Sequence, residues 1–366
     1  MKDILNFSPE QVSLPTDLDI LQECSSYPFF ADGITPFSMD TTSDAYARLL
    51  EQTEADLRTL LCVPYSYKIL FMPGGAEQQY AAVPLNLLSD HTCADYIITG
   101  IHSKAAYLEA KRYGDMALAA SSGGFIPAFS TIPDTKRSDF RPDADYVHLC
   151  YNNPHFGTRF HEVPDTGNIP LVAEMSSCFL SEPIAVSSFA LLYADMRRSL
   201  LPAGMTVVIA RADMLGSARP MTPSTLDYRT FLHEGPAFHA PSPVCLFTAD
   251  VLFRRMIEMG GLEEMKRRGE RKASLLYDYL DSQAYYTAPA DKKYRSMTTV
   301  VFTTGNGNMD DRFAEAAAAE GLLRLRADSS AQGLCAALPF SLPYEGVERL
   351  VSFMKRFAFE NPKLSF

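Results

Sequence analysis

The stretch that most constrains the fold of this chain is residues 191–211, LLYADMRRSLLPAGMTVVIAR, in which two short apolar runs flank a polar turn. Residues 191–194 and 205–210 are almost entirely apolar, so we expect two paired strands in a sheet that is covered on both faces. The turn between them carries Arg197 and Arg198 and ends in Pro-Ala-Gly. Charged side chains at the edge of a buried sheet usually meet a ligand or a carboxylate, which makes this turn a candidate functional site.

The composition is typical of a globular protein and argues against two classes of partner. The 366 residues are 47% hydrophobic and 21% charged, and the formal net charge is −11, whereas nucleic-acid binding needs a basic surface. No stretch approaches the roughly 18 uninterrupted apolar residues of a membrane-spanning helix. The seven cysteines are scattered, and the first residues lack an apolar signal-peptide core. We therefore expect a cytoplasmic protein with reduced thiols, without nucleic-acid or membrane partners.

Strand-like runs alternate with helix-like patterns along the chain, which indicates an α/β fold. The sequence predicts strands at residues 69–72, 191–194, 205–210, 298–302 and 334–341, and further strands within residues 96–113, 146–157 and 171–186. It predicts helices at residues 40–61, 76–88, 244–280, 311–320 and 344–357, with a break at Gly260-Gly261. Residues 298–366 therefore contain the strands and helices of a second, smaller α/β unit.

A glycine turn between a strand and a helix is the second candidate site. Gly74 and Gly75 separate the strand at residues 69–72 from the helix that begins at Ala76. Free N–H groups at such a helix N-terminus favour an anion. Glu77 lies in the first turn, and its carboxylate competes with a phosphate for the same positive helix end. A helix end without any ligand is therefore the simpler interpretation.

Two motifs carry a resemblance to a known family. YADMRRSLLPAG at residues 193–204 and KILFMPGGAEQQYAAVPLNLL at residues 68–88 resemble phosphoserine aminotransferases, which are class-V pyridoxal-phosphate (PLP) enzymes of aminotransferase fold type I. The resemblance covers essentially the whole chain. It implies an N-terminal arm (1–15), a large domain with a mainly parallel sheet sandwiched by helices (16–255), and a small C-terminal α/β domain (256–366). It also implies a role in serine biosynthesis, by transamination between 3-phosphohydroxypyruvate and glutamate, and a homodimer.

The residues at the family's functional positions differ in chemical type from those of the family. Arg198 stands at the position of the lysine that binds PLP covalently, so no catalytic residue is intact. The other positions that the resemblance assigns to the cofactor pocket are Ala76, Glu77, His102, Pro154, Glu174, Arg197, His239 and Ala240. The two positions of substrate-binding arginines are Thr42 and Cys335. No metal site is expected, because His155 and His161 lack a further ligand at a metal-binding spacing.

These substitutions predict a change in chemistry. Lysine loses its proton readily in a desolvated pocket, whereas the guanidinium of arginine stays protonated and is a poor nucleophile. Glu174 keeps the negative charge of the family's aspartate, but its side chain is longer by one methylene group. We therefore expect PLP to be absent or bound non-covalently. We also predict that Arg198 and Glu174 form an ion pair in the space that the cofactor occupies in the family, with Arg197 and Glu77 nearby.

Three functions agree with these residues. The first is a catalytically degenerate family member that acts as a binding or regulatory subunit, either by itself or paired with an active paralogue. The second is an active aminotransferase that uses PLP or pyridoxamine phosphate without a covalent link. The third is a different enzyme that binds a small anionic ligand between Arg197 and Arg198.

Overall fold

The computed structural model describes residues 4–9, 33–89, 91–198, 203–233, 240–326 and 333–362, without the side chains of Arg198 and His233. The strands are β1 (Leu5–Asn6), β2 (Tyr67–Pro73), β3 (Cys93–Ile98), β4 (Asp115–Ser121), β5 (Val147–Cys150), β6 (Asn152–Asn153), β7 (Thr158–Arg159), β8 (Leu171–Glu174), β9 (Leu191–Asp195), β10 (Met205–Arg211), β11 (Thr299–Phe302), β12 (Leu322–Leu323) and β13 (Leu334–Ala337). The helices are α1 (Asp44–Leu61), α2 (Ala76–Leu87), α3 (Ile101–Ala110), α4 (Thr230–His233), α5 (Pro243–Glu258), α6 (Gly261–Asp281), α7 (Gly307–Ala319) and α8 (Tyr344–Glu360).

Seven strands form the main sheet in the order β2-β10-β9-β8-β5-β3-β4. Neighbouring strands are parallel, except that β10 runs antiparallel to both β2 and β9. The predicted pairing of the strands on either side of the 195–204 turn is therefore confirmed, with Val207 opposite Ala194 and Ile209 opposite Leu192. The expected α/β class with a mainly parallel sheet is confirmed as well.

Alternating residues of each strand pack on opposite faces of this sheet. Ile69 and Phe71 of β2 belong to the hydrophobic core that includes α1 and α5, whereas Leu70 and Met72 belong to the core that includes α2 and α3. This is the period-two alternation of an extended chain. Because both faces are covered, the strands contain apolar residues throughout, which explains why the short apolar runs predicted strands correctly.

Apart from the cores on the two faces of the main sheet, a further core lies around the antiparallel pair of β11 and β13 and is packed by α6, α7 and α8. It is called the second core below. The N-terminal arm joins it, because β1 pairs with β12 and Phe7 is completely buried. This arrangement agrees with a small C-terminal α/β unit, while the boundaries at 15 and 255 stay a prediction. No helix in the described ranges is long and apolar enough to cross a membrane.

Several element boundaries differ from the sequence prediction, for reasons that lie in caps and prolines. Helix α1 begins at Asp44 rather than at residue 40, because the Ser43 hydroxyl accepts a hydrogen bond from the Tyr46 N–H at 3.2 Å and caps the helix. Helix α7 begins at Gly307, where the Asn306 side chain is the N-cap. Strand β13 ends at Ala337, shortly before Pro339, which has no N–H to donate to a ladder.

A buried histidine on one face of the sheet links the stability of the fold to pH. The Nε2 atom of His148 lies 2.9 Å from the Tyr193 hydroxyl, and its ring stacks on Tyr96 at 4.9 Å between centroids. Within the described part of the chain, its Nδ1 atom has no hydrogen-bond partner. Burial lowers the pKa of His148 to about 3, so this histidine is neutral in the folded protein.

We predict that His148 destabilises the fold as the pH falls. In the unfolded chain the pKa of a histidine is about 6.5. The contribution of the neutral His148 ring to the free energy of unfolding is therefore present in full above that pH and is lost as the pH falls toward 3. Between pH 7 and pH 5 this amounts to about 2 kcal/mol. His148→Gln, which cannot titrate, should show a flatter pH dependence of the free energy of unfolding, measured by urea denaturation at both pH values.

The exposed His91 provides the control, because the same substitution there removes a histidine without removing a buried ring. His91→Gln should keep the pH dependence of the unmodified protein. Identical pH dependence in the His148→Gln variant and the unmodified protein would show that His148 does not cause the acid sensitivity.

Candidate functional site

The glycine turn after β2 has the geometry of an anion cradle. Gly74 has a φ of +106°, a conformation that L side chains rarely adopt. Gly75 is the N-cap of α2 and has no side-chain cap, so the first N–H groups of the helix have no side-chain acceptor at the N-cap. The Gly74 N–H donates to the Gly204 carbonyl at 3.0 Å, which ties the cradle to the turn before β10. The predicted strand, glycine turn and helix are therefore confirmed.

Side-chain oxygens of the chain itself already lie over these two glycines. A Cβ atom built on Gly75 would be 2.7 Å from Glu77 Oε2 and 3.1 Å from Asp195 Oδ2. A Cβ atom built on Gly74 would collide with the Gln78 side chain. The space above the cradle thus contains two carboxylate groups, and negative charge at this place is favoured by the helix dipole.

Arg197 holds the two carboxylates together. Its Nη2 atom lies 3.2 Å from Asp195 Oδ2 and 3.6 Å from Glu77 Oε1. The Arg197 backbone N–H donates to Asp195 Oδ1 at 3.0 Å, so both carboxylate oxygens of Asp195 face this one residue. The Asp195 side chain is 2% exposed, whereas that of Glu77 is 55% exposed. The Asp195 pair is therefore the one that is shielded from water.

Glu174 lies at the same edge of the sheet, at the carboxyl end of β8. It is 3% exposed, and its Oε1 atom accepts a hydrogen bond from the Ser176 N–H at 2.9 Å. The Ser176 hydroxyl in turn accepts one from the Asp195 N–H at 2.9 Å. Ser176 thus links the Glu174 carboxylate to the backbone of Asp195. The Arg198 backbone lies in the short turn Met196–Arg198, but its side chain is outside the described part, so the Arg198–Glu174 ion pair stays a prediction.

His102 lies where the resemblance places an aromatic ring that stacks on the cofactor, and it contacts a second histidine. The ring centroids of His102 and His155 are 5.2 Å apart at an angle of 45°. The His102 Nδ1 atom is 3.4 Å from the Tyr80 hydroxyl. His155 is 5% exposed. No group of three potential metal ligands occurs among the described residues.

Two other predicted positions contact each other. The Cys335 thiol donates to the Pro154 carbonyl at 3.7 Å, and both residues are buried. These are the positions of a cofactor-binding threonine and a substrate-binding arginine in the resemblance. In this chain a proline and a cysteine close the gap, so neither a hydroxyl nor a cation reaches the site from there.

The remaining predicted positions lie away from the glycine cradle or outside the described residues. Thr42 is exposed, and its hydroxyl donates to Asp40 at 2.8 Å. Ala240 packs partly buried against the core. His239 lies outside the described residues. The structure therefore brings Ala76, Glu77 and Arg197 together around Asp195, and it leaves Thr42 in a solvent-exposed turn.

The sequence reasoning missed Asp195, Ser176 and the ring contact of His155. Asp195 carries a signal that could have been used: it is an acidic residue directly after a fully apolar strand, at the end of β9. Burial of the strand end also raises the pKa of the neighbouring Tyr193 hydroxyl well above its ordinary value. Ser176 and His155 offer no such signal, because isolated serine and histidine residues are common in loops.

Comparison with known proteins gives one consistent family. The chain matches the class-V aminotransferase family over residues 18–320. Phosphoserine aminotransferases of Pseudomonas putida and Ectopseudomonas mendocina are 37% and 38% identical over 360 residues, covering 98% of this chain and 99% of each relative. The phosphoserine aminotransferase from Bacillus circulans subsp. alkalophilus has a TM-score of 0.92 at 32% identity, covering 98% of this chain and 99% of that one. The PLP-bound phosphoserine aminotransferase from Trichomonas vaginalis has a TM-score of 0.88 at 29% identity, covering 96% and 100%.

We predict that the Asp195–Arg197 pair contributes to stability and that Glu77 contributes little. Asp195→Asn keeps the shape of the side chain but leaves Arg197 facing a neutral group in a shielded place. This should lower the free energy of unfolding by about 1–3 kcal/mol. Glu77→Gln removes a half-exposed carboxylate and should lower it by less than about 1 kcal/mol. Urea denaturation at pH 7 measures both, and an equal or larger effect of Glu77→Gln would contradict the assignment.

Proposed function

The chain belongs to the class-V aminotransferase family, within the phosphoserine aminotransferases, and from this premise we propose that it is a member without lysine-dependent transamination. That chemistry needs an amine that is neutral part of the time and bonds covalently to the cofactor. Arg198 stands at the position of that lysine, and its guanidinium stays protonated. The proposed role of the protein is binding or regulation.

The observation that carries this proposal is the Asp195 carboxylate over Gly75, held by Arg197. PLP carries a phosphate group, and the resemblance places that phosphate at this cradle. A phosphate there would meet the carboxylates of Asp195 and Glu77 instead of free N–H groups, and like charges at such distances repel. The residues present do not fit the cofactor phosphate, so we infer no reaction step through PLP.

The other positions of the pocket support the same proposal. Glu174 is buried and already engaged with Ser176, and His102 contacts His155. Pro154 and Cys335 contact each other across the place of the lost threonine and arginine. Each contact uses the chain's own side chains where the resemblance places contacts to a cofactor or a substrate. Such contacts within the chain are what we expect of a degenerate pocket that has adapted to the loss of its ligand.

The same closed cradle weighs against the two alternative functions. Non-covalent PLP or pyridoxamine phosphate needs no lysine, but it needs the phosphate cradle. An anion clamp built from Arg197 and Arg198 needs an Arg197 that is available, whereas Arg197 already lies between Asp195 and Glu77. We therefore favour the degenerate family member over both alternatives.

We predict that the purified protein forms no covalent adduct with PLP. Titration with PLP, followed by borohydride reduction and dialysis, should leave no PLP absorbance on the protein, because no lysine stands at the cofactor position. Absorbance spectra and the intact mass measure this outcome. A stoichiometric adduct that borohydride makes permanent would mean that some lysine does reach the cofactor, and the proposal would then be wrong.

Variants distinguish the effect of the missing lysine on PLP binding from the effect of the two carboxylates in the cradle. Arg198→Lys alone should gain little PLP, because Asp195 and Glu77 still occupy the cradle. The triple variant Arg198→Lys, Glu77→Arg and Asp195→Ala should gain more, since it removes both carboxylates and adds a cation for the phosphate. Arg211→Lys, at a partly exposed place on β10, controls for unspecific surface adducts. Equal PLP binding by the single and triple variants would show that the carboxylates do not close the cradle.

We also propose that the chain forms a homodimer, as the resemblance implies. In the family, a loop that corresponds to residues 233–243 reaches the site of the other subunit, so each site is built from two chains. Sedimentation equilibrium should give twice the mass of one 40.6 kDa chain at micromolar concentration. A single-chain mass over the whole accessible concentration range would contradict the dimer but would leave the proposal on PLP untouched.

A further inference from the structure

A small cavity lies between the main sheet and the second core, apart from the glycine cradle. Its walls come from the segment after β8, from helix α6 and from the ends of β11 and β13, and they include Ser177, Leu180, Met265, Met297 and Thr298. Its volume is about 50 Å³, enough for a few water molecules or for a molecule of a few heavy atoms. It shares no lining residue with the cradle around Gly75 and Asp195.

Lys272 of α6 lines this cavity and is a buried cation that forms no ion pair with a carboxylate among the described residues. It is 4% exposed. Its ammonium group donates to the carbonyls of Pro339 and Leu342, the latter at 3.1 Å, so one of its three N–H groups remains. Among the described residues, no carboxylate lies within ion-pair distance of it. Burial and the neighbouring Arg268 lower the pKa of Lys272 to about 8, so the amine is still mostly protonated at pH 7.

Several other buried charges in the described part have a partner of opposite sign, whereas the buried Asp310 accepts from the Thr303 and Thr304 hydroxyls and the Thr304 N–H. Asp95 contacts Arg141 at 2.7 Å, and Glu182 and Asp250 contact Arg159 and Arg254. A buried charge is costly unless an opposite charge compensates it. Within the described ranges, the Lys272 ammonium group has neutral carbonyls as its hydrogen-bond partners, and the charged group that acts on it is a second cation, Arg268. An anion in the adjoining cavity would supply the missing compensation.

We propose that this cavity binds a small carboxylate of about the size of acetate. Its charged end would accept the remaining N–H of Lys272, and its apolar end would face Leu180, Met265 and Met297. A volume of about 50 Å³ fits a ligand of this small size. Because the walls come from both cores, a bound carboxylate stabilises the folded arrangement of the two. The proposal is independent of the proposed function.

Titration of the full-length protein with sodium acetate tests the site, at an ionic strength held constant with sodium gluconate. Isothermal titration and thermal unfolding should show saturable binding and a saturable rise in Tm. Acetamide, which has the same shape without the charge, should show neither. Lys272→Met removes the cation and should weaken acetate binding at least tenfold. Lys266→Met, on the exposed side of the same helix, should bind acetate as the unmodified protein does.

A second variant keeps the test decisive if Lys272→Met is poorly folded. Gly269 lines the cavity, and a Cβ atom there would make an ordinary contact of 3.6 Å with Met297 Sδ. Gly269→Leu should fill the cavity, keep Lys272 and abolish saturable acetate binding. The proposal is overturned if acetamide matches acetate, if Lys272→Met binds acetate like Lys266→Met, or if Gly269→Leu binds it with unchanged affinity.

Discussion

The candidate site depends on the antiparallel insertion of β10 between β2 and β9. Thr206 of β10 pairs with Met72 on one side and with Asp195 on the other. This places the end of β9 one strand away from the end of β2, and the Gly74 N–H bond to Gly204 closes the same edge. The carboxylate of Asp195 therefore reaches the glycine turn, although the two segments lie far apart along the chain. Without this ladder, neither the cradle nor its contents would have a defined geometry.

Charge explains why two carboxylates can lie at the glycine cradle. The N-terminus of α2 favours negative charge, and Asp195 and Glu77 provide it. Arg197 offsets part of this negative charge and keeps Asp195 from being an uncompensated buried charge. The same arrangement repels a phosphate, so the stability of the closed cradle and the proposed loss of the cofactor share one physical cause. Lys272 presents the opposite case, a buried cation that none of the described carboxylates compensates.

The fold could be predicted largely from the sequence. Apolar runs such as residues 205–210 form strands because the sheet is buried on both faces, and the break at Gly260-Gly261 separates α5 from α6 as expected. The predicted boundaries were wrong where a single hydrogen bond decides them, as at Ser43 and Asn306. The candidate site was predicted only in part. Glu77 and Arg197 were expected to be neighbours, and their side chains lie 3.6 Å apart, but Asp195, the second carboxylate that Arg197 contacts, was not recognised.

The sequence by itself determined the apolar runs of the strands, the glycine turn and the arginine at position 198. These are local properties, because the strand period, the φ of glycine and the chemistry of a guanidinium do not depend on distant residues. Only the tertiary structure decided that Asp195 lies over Gly75, that Cys335 contacts Pro154, and that Lys272 borders a cavity. Those contacts join segments that are remote along the chain, and the strand order and the packing of the two cores determine them.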